Sequence, residues 1–158
     1  KIEIFIMTPE PNKSIVIACD HGGVDMKSAL KEALKEDGYK IIDLGTDQAD
    51  SVDYPDYAYE LSKFIIQKKV RRGVLICGSG IGISIAANRF PEIRAALIHD
   101  ALGAQLCREH NDANVIVFGG RTMGIETARD CLNIFLRTDF QGGRHERRIA
   151  KLSKPGSN

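Results

Sequence analysis

The cysteine spacing that would signal a zinc knuckle or a redox dithiol is missing from this sequence. Its 158 residues include four cysteines, Cys19, Cys77, Cys107 and Cys131, and no two stand in a CxxC arrangement. A chain of this length can bury a core without disulfide staples, so a reducing, cytoplasmic compartment is expected. Long apolar runs are missing as well. The stretch Lys1-Ile-Glu-Ile-Phe-Ile6 is too short for a signal-peptide core or a membrane helix, so no membrane partner is expected. A surplus of one charge is also absent. Lys and Arg number 22 and Asp and Glu 21, a formal net charge of +1. A general nucleic-acid binder would be far more basic, so any basic function must be local. No set of His, Cys, Asp and Glu has metal-ligand spacing, and no metal is expected.

What is present is the composition of one globular domain, with 43% hydrophobic and 27% charged residues. Residues 1–13 read as a leader or tag-like segment, 14–152 as the domain and 153–158 as a flexible tail. Within the domain, short apolar runs alternate with helical periodicity. The runs are Ile15–Cys19, Tyr39–Leu44, Gly73–Cys77, Arg94–Ile98 and Val115–Phe118. Between them lie helical patterns: Met26, Leu30, Ala33 and Leu34 closing at Gly38; Tyr57, Ala58, Leu61, Phe64 and Ile65 after Pro55; Ile83–Arg89; Ala101 to about His110; and one ending near Leu136. The tail from Gln141 adds a short helix. Strands that are apolar throughout are buried on both faces. The pattern therefore predicts a three-layer αβα, doubly wound, five-stranded parallel sheet of Rossmann or flavodoxin-like type, with the common strand order 2-1-3-4-5. Under that order the loops after Cys19 and Cys77 face each other across a ligand crevice.

Several residue groups carry chemistry. Gly78-Ser79-Gly80-Ile81-Gly82 joins a strand to a helix. It is either a tight turn or a cradle whose amide N–H groups point at an anion. Its GxGxG spacing, after strand three, does not fit a dinucleotide fingerprint. Cys77 precedes it, where clustered N–H groups at a helix start favour negative charge on sulfur. Cys107 and Cys131 read as inert core residues. Asp20 and His21 follow strand one, suited either to substrate hydroxyls and phosphate or to a helix cap and a solvated ring. His110 and Asn111 end the fourth helix, where a plain capping role is open. The adjacent His99 and Asp100 resemble a base with its orienting acid but need not face each other. Arg144 and Arg148, four apart, share one helix face and form either a phosphate clamp or a solvated basic tail.

Together these segments resemble the ribose-5-phosphate isomerase B family, which is grouped with the galactose-6-phosphate isomerase subunits. The resemblance runs from about Ile15 to Ile149. It rests on Cys19-Asp-His-Gly22, Asp53-Tyr-Pro55, Cys77-Gly-Ser-Gly-Ile-Gly-Ile-Ser-Ile-Ala-Ala-Asn88, Glu109-His-Asn-Asp-Ala-Asn114, Phe118-Gly-Gly-Arg121 and Gly142-Gly-Arg-His145 in that order. It implies interconversion of ribose 5-phosphate and ribulose 5-phosphate, or of a six-carbon aldose phosphate and its ketose, without a cofactor. It also implies roles: Cys77 as the base, His110 opening the sugar ring, Ser79 assisting, and Asp20, His21, Gly78, Gly80, Ile81, Gly82, Asn111, Arg121, Arg144 and Arg148 contacting substrate. Some members carry a glutamate further along the glycine loop. Here that stretch reads Ile81-Gly82-Ile83, which leaves Cys77 as the matching base. The resemblance further implies a homodimer or dimer of dimers with shared sites, in which His110, Asn111 and Arg121 face a partner's Cys77.

Overall fold

The computed structural model describes residues 13–157. All but the last residue of the expected leader lie outside that range. Five strands, β1 (Ser14–Cys19), β2 (Lys40–Asp43), β3 (Arg72–Cys77), β4 (Ala95–Leu97) and β5 (Val115–Gly119), alternate with α1 (Val24–Glu36), α2 (Tyr54–Ile66), α3 (Ile81–Ala87), α4 (Ala101–Glu109), α5 (Ile125–Arg137) and α6 (Arg144–Leu152). A 3-10 turn over His21–Gly23 leads into α1. All strand pairs are parallel. Side chains alternate between two cores. Ile15, Ile17, Ile76, Ile116 and Phe118 meet α1, α4 and α5. Val16, Ala18, Leu75, Cys77 and Val117 meet α2 and α3 on the other face. Among the described residues no helix is long and apolar enough to cross a membrane.

The strand order is β2-β1-β3-β5-β4, which exchanges the last two positions of the expected order. Burial explains the exchange. Val115–Gly119 is buried along its whole length, whereas Ala95–Leu97 is half-buried and three residues long. The longer, more apolar strand takes the interior place and the short one takes the edge. The crevice survives the change, because β1 and β3 are still neighbours whose connections leave in opposite directions. Local signals behave as their chemistry dictates. Gly38, at φ +81°, follows the end of α1, and Tyr39 N–H returns to Leu34 O. Pro55 occupies the first turn of α2. Helix α3 begins at Ile81, two residues before the apolar pattern suggested, because Gly80 at φ +76° turns the chain directly into it.

Candidate active site

Three loops at the carboxyl ends of β1, β3 and β5 are sewn together by backbone hydrogen bonds. Asp20 N–H donates to Ile76 O (3.1 Å), Gly120 N–H to Cys77 O (2.8 Å) and Arg121 N–H to Gly78 O (2.8 Å). They touch so closely that a Cβ on Gly22 would stand 2.9 Å from Gly78 N. Cys77 ends β3 with its side chain 4% exposed. Its Sγ accepts a hydrogen bond from Gly80 N–H at 3.1 Å. Ser79 Oγ accepts from Ile81 N–H at 3.2 Å. The glycine turn thus bends back over the sulfur and points an amide at it, which is how a backbone stabilises a developing anion.

Asp20 caps the 3-10 turn, its Oδ1 accepting from Gly22 N–H at 2.8 Å. His21 Nδ1 accepts from Val52 N–H at 3.2 Å, which places that ring's proton on Nε2. The segment that supplies Val52 is anchored from below. Lys27, 2% exposed, reaches Asp43 (2.7 Å) and Asp47 (2.8 Å), while Lys31 takes the other Asp43 oxygen. Burial alone would lower the Lys27 pKa, but its hydrogen bonds to the two carboxylates outweigh burial and raise it.

The structure corrects one assignment. The Arg121 side chain lies over Gly78 of its own chain, its Cδ and Cζ 3.5–3.6 Å from where a Gly78 Cβ would be. It does so because β5 is the neighbour of β3 (Cys77 is in register with Gly119), so the loop after β5 falls beside the glycine turn. Arg121 therefore belongs with Cys77 in one chain rather than facing it from another. Asp100 caps α4, its Oδ1 accepting from Gly103 N–H at 2.6 Å.

His110 and Asn111 stand elsewhere. They end α4 and precede the start of β5, where Gly73 N–H donates to Asn114 O. Four steps along β5 from Val115 to Gly119 span about 13 Å, so within one chain His110 and Cys77 sit at opposite ends of the sheet. The turn that carries His110 is rigidly held. Asp112 takes φ +45°, and buried Arg108 bridges Asp112 and Ala113 O at 2.7 Å each. Arg94 Nε donates to Asn111 O and Asp112 O at 3.1 and 3.0 Å. His145, at the start of α6, stacks on His110 with ring centroids 4.4 Å apart. Burial, then the positive charges of His110, Arg144 and Arg148, hold the His145 pKa below the ordinary value. The exposed Arg144 and Arg148 thus form one basic group with the two imidazoles.

Two residues were given no role from the sequence. His145 closes the motif Gly142-Gly-Arg-His145, and its place one residue after Arg144 is the signal the sequence carries. Tyr54, within Asp53-Tyr-Pro55, lies against the glycine turn, so that a Cβ on Gly82 would be 2.5 Å from its ring. Cys19 and Cys107 are core thiols that burial pushes up to about 12 and about 11.

A doubly wound parallel sheet whose carboxyl-end loops hold a cysteine in a glycine turn places the chain among the α/β proteins whose ligand crevice lies at the carboxyl ends of the strands. The family model for Ribose/Galactose Isomerase matches residues 15–152, and the chain belongs to that family. It is 41% identical to ribose-5-phosphate isomerase B of Escherichia coli, over 89% of this chain and 95% of that one. It is 37% identical to D-erythrulose-4-phosphate isomerase of Pectobacterium atrosepticum, over 88% and 92%. The crystal structure of a ribose 5-phosphate isomerase from Thermotoga maritima superposes with a TM-score of 0.88 at 45% identity, covering 89% of this chain and 97% of that one.

Proposed function

We propose that the protein interconverts ribose 5-phosphate and ribulose 5-phosphate through a cis-enediolate, in a site completed by a second copy of the chain. The observation that carries this reading is the Gly80 N–H aimed at Cys77 Sγ within three interlocked loops. A sulfur held in this way can take the C2 proton and return it at C1. A positioned base is worth about 10²–10⁴-fold. The oxyanion that develops meets amide donors of the glycine turn, each worth about 3–4 kcal/mol in comparable holes. Asp20 and His21 border the same loops and are assigned to the sugar hydroxyls, with Ser79 and Arg121 beside them. His110 opens the cyclic sugar, and Arg144 and Arg148 hold the phosphate, whose binding energy fixes C2 over the sulfur. Because these groups stand at the other end of the sheet in one chain, they reach Cys77 only from a second copy. The E. coli and Thermotoga proteins support a pentose phosphate as substrate, and the Pectobacterium protein shows that close relatives take a shorter sugar.

The test is ketose formation from four-, five- and six-carbon sugar phosphates with a chelator present. Ribose 5-phosphate should give the highest kcat/KM, unchanged by chelation. A higher value for a six-carbon aldose phosphate would replace the substrate while keeping the reaction. Turnover of none of them would remove the reading.

A further inference from the structure

The amino ends of the strands carry a second charged cleft that the isomerase reading leaves unused. Its volume is ≈ 610 Å³, within the range of small-molecule sites. Lys68, Lys69, Arg71, Arg72, Arg94 and Arg108 line it, and Asp112 is the one carboxylate among its lining residues. Lys68, Lys69, Arg72, Arg94 and Arg108 against Asp112 leave +4, in a chain whose formal net charge is +1. Four of the six lining cations come from the run Lys68-Lys-Val-Arg-Arg72, which joins α2 to β3 and is anchored by Val70, 3% exposed.

Ordinary helix-end and bracing chemistry explains part of this clustering. Lys68 and Lys69 follow the carboxyl end of α2, where cations are favoured, and Arg94 and Arg108 brace the His110 turn through Asp112. It does not cover Arg72. That half-buried guanidinium donates to Phe135 O at 3.2 Å and lies over the Phe135 ring, yet no carboxylate stands within salt-bridge distance of it, nor of Lys68 or Lys69, among the described residues. Asp139, in the neighbouring cleft, acts on it only at longer range. Burial first, then repulsion from Arg108, push the Arg72 pKa down to about 10. Cations pressed together in this way cost stability unless an anion joins them.

We propose that this cleft binds the di- or triphosphate group of a small molecule, at a site separate from the isomerase centre. The charge selects the class. A monophosphate dianion would leave these groups at about +2, whereas a group of three or four negative charges comes close to balancing them. Arg72 supplies the half-buried guanidinium and the exposed Lys68 and Lys69 close over the outer phosphate, while Arg94 and Arg108, held by backbone carbonyls and Asp112, contribute charge rather than direct contacts.

The experiment is calorimetric titration of the full chain with inorganic pyrophosphate, ADP and orthophosphate. Pyrophosphate and ADP should bind at least about tenfold more tightly than orthophosphate. The double variant Lys68→Glu plus Lys69→Glu should weaken both by at least about tenfold, roughly 1.4 kcal/mol, with isomerase activity unchanged. Arg144→Ala plus Arg148→Ala, the control at the isomerase site, should leave both affinities unchanged. In the unaltered protein, pyrophosphate should shift the amide resonances of residues 70–73 and not those of 78–82, which locates the site without any substitution. The proposal is overturned by no binding at about 5 mM, by loss that follows the Arg144 and Arg148 variant, or by amide shifts confined to 78–82. It is also overturned if a single-stranded oligonucleotide binds more tightly than pyrophosphate, which would make the cleft a nucleic-acid surface. None of these outcomes depends on which sugar phosphate is isomerised.

Discussion

His110 and His145 lie face to face, their ring planes 14° apart. Two stacked imidazoles resist carrying charge together, and Arg144 and Arg148 add to that resistance. The His145 pKa is therefore lower in the folded chain than its ordinary 6.5. The unfolded chain then binds more protons over the interval between the two values, so stability falls as pH drops from about 6.5 towards the folded value, and is unaffected above it. Melting temperatures of the parent and His145→Asn should diverge between pH 7.5 and 5, with the parent losing more. Parallel curves would remove the coupling.

Cys77 and Cys107 separate chemistry from packing. Both are buried, but only Cys77 accepts a loop amide, whereas Cys107 Sγ donates to Ala104 O within its own helix at 3.2 Å. Cys77→Ala, with its fold confirmed by circular dichroism, should abolish both isomerisation and solvent deuterium exchange into the ketose. Cys107→Ala should keep turnover within about twofold while losing roughly 1 kcal/mol of stability from the shrunken core. Near-normal turnover in Cys77→Ala would require another base.

Gly80→Ala tests the glycine turn. At φ +76° an alanine is strained, by about 1–2 kcal/mol, and its methyl would stand 2.5 Å from Leu97 Cδ1 and 3.0 Å from the Phe118 carbonyl carbon. Backbone atoms of β5 cannot step aside, so the turn must move and its amide leaves the sulfur. The expected result is a drop in kcat of about 10²-fold with KM changed far less. A rise in KM with kcat unchanged would mean that the turn binds ground state and transition state alike.

The sheet, its five strands and the glycine turn were legible because each has a local cause: continuous apolarity, a Pro at a helix start, a Gly where φ must be positive. The order of β4 and β5 was not, although the poorer apolarity of Ala95-Ala-Leu97 beside Val115-Ile-Val-Phe118 held the clue. The placement of Arg121 failed for the same reason, since a loop's neighbours depend on which strand lies next to it. His145 escaped because a histidine's significance comes from the ring it meets, and His110 lies 35 positions away. The Lys68–Arg72 run was visible as sequence, but its meeting with Arg94 and Arg108 exists only in three dimensions.

The separation of His110 from Cys77 leads to a test that needs no structure of an assembly. If each site takes its cysteine from one chain and its histidine from another, Cys77→Ala and His110→Asn are each inactive towards cyclic aldose for different reasons. His110→Asn alone should still exchange solvent deuterium into the open-chain ketose, because its base is intact. When the two variants are mixed and allowed to exchange subunits, half of the dimers hold one of each. In such a dimer one site has lost both groups and the other has kept both, so random mixing should restore about a quarter of the parent aldose activity. No gain on mixing, with subunit exchange verified by mass, would mean that the two residues do not meet in one site across two chains.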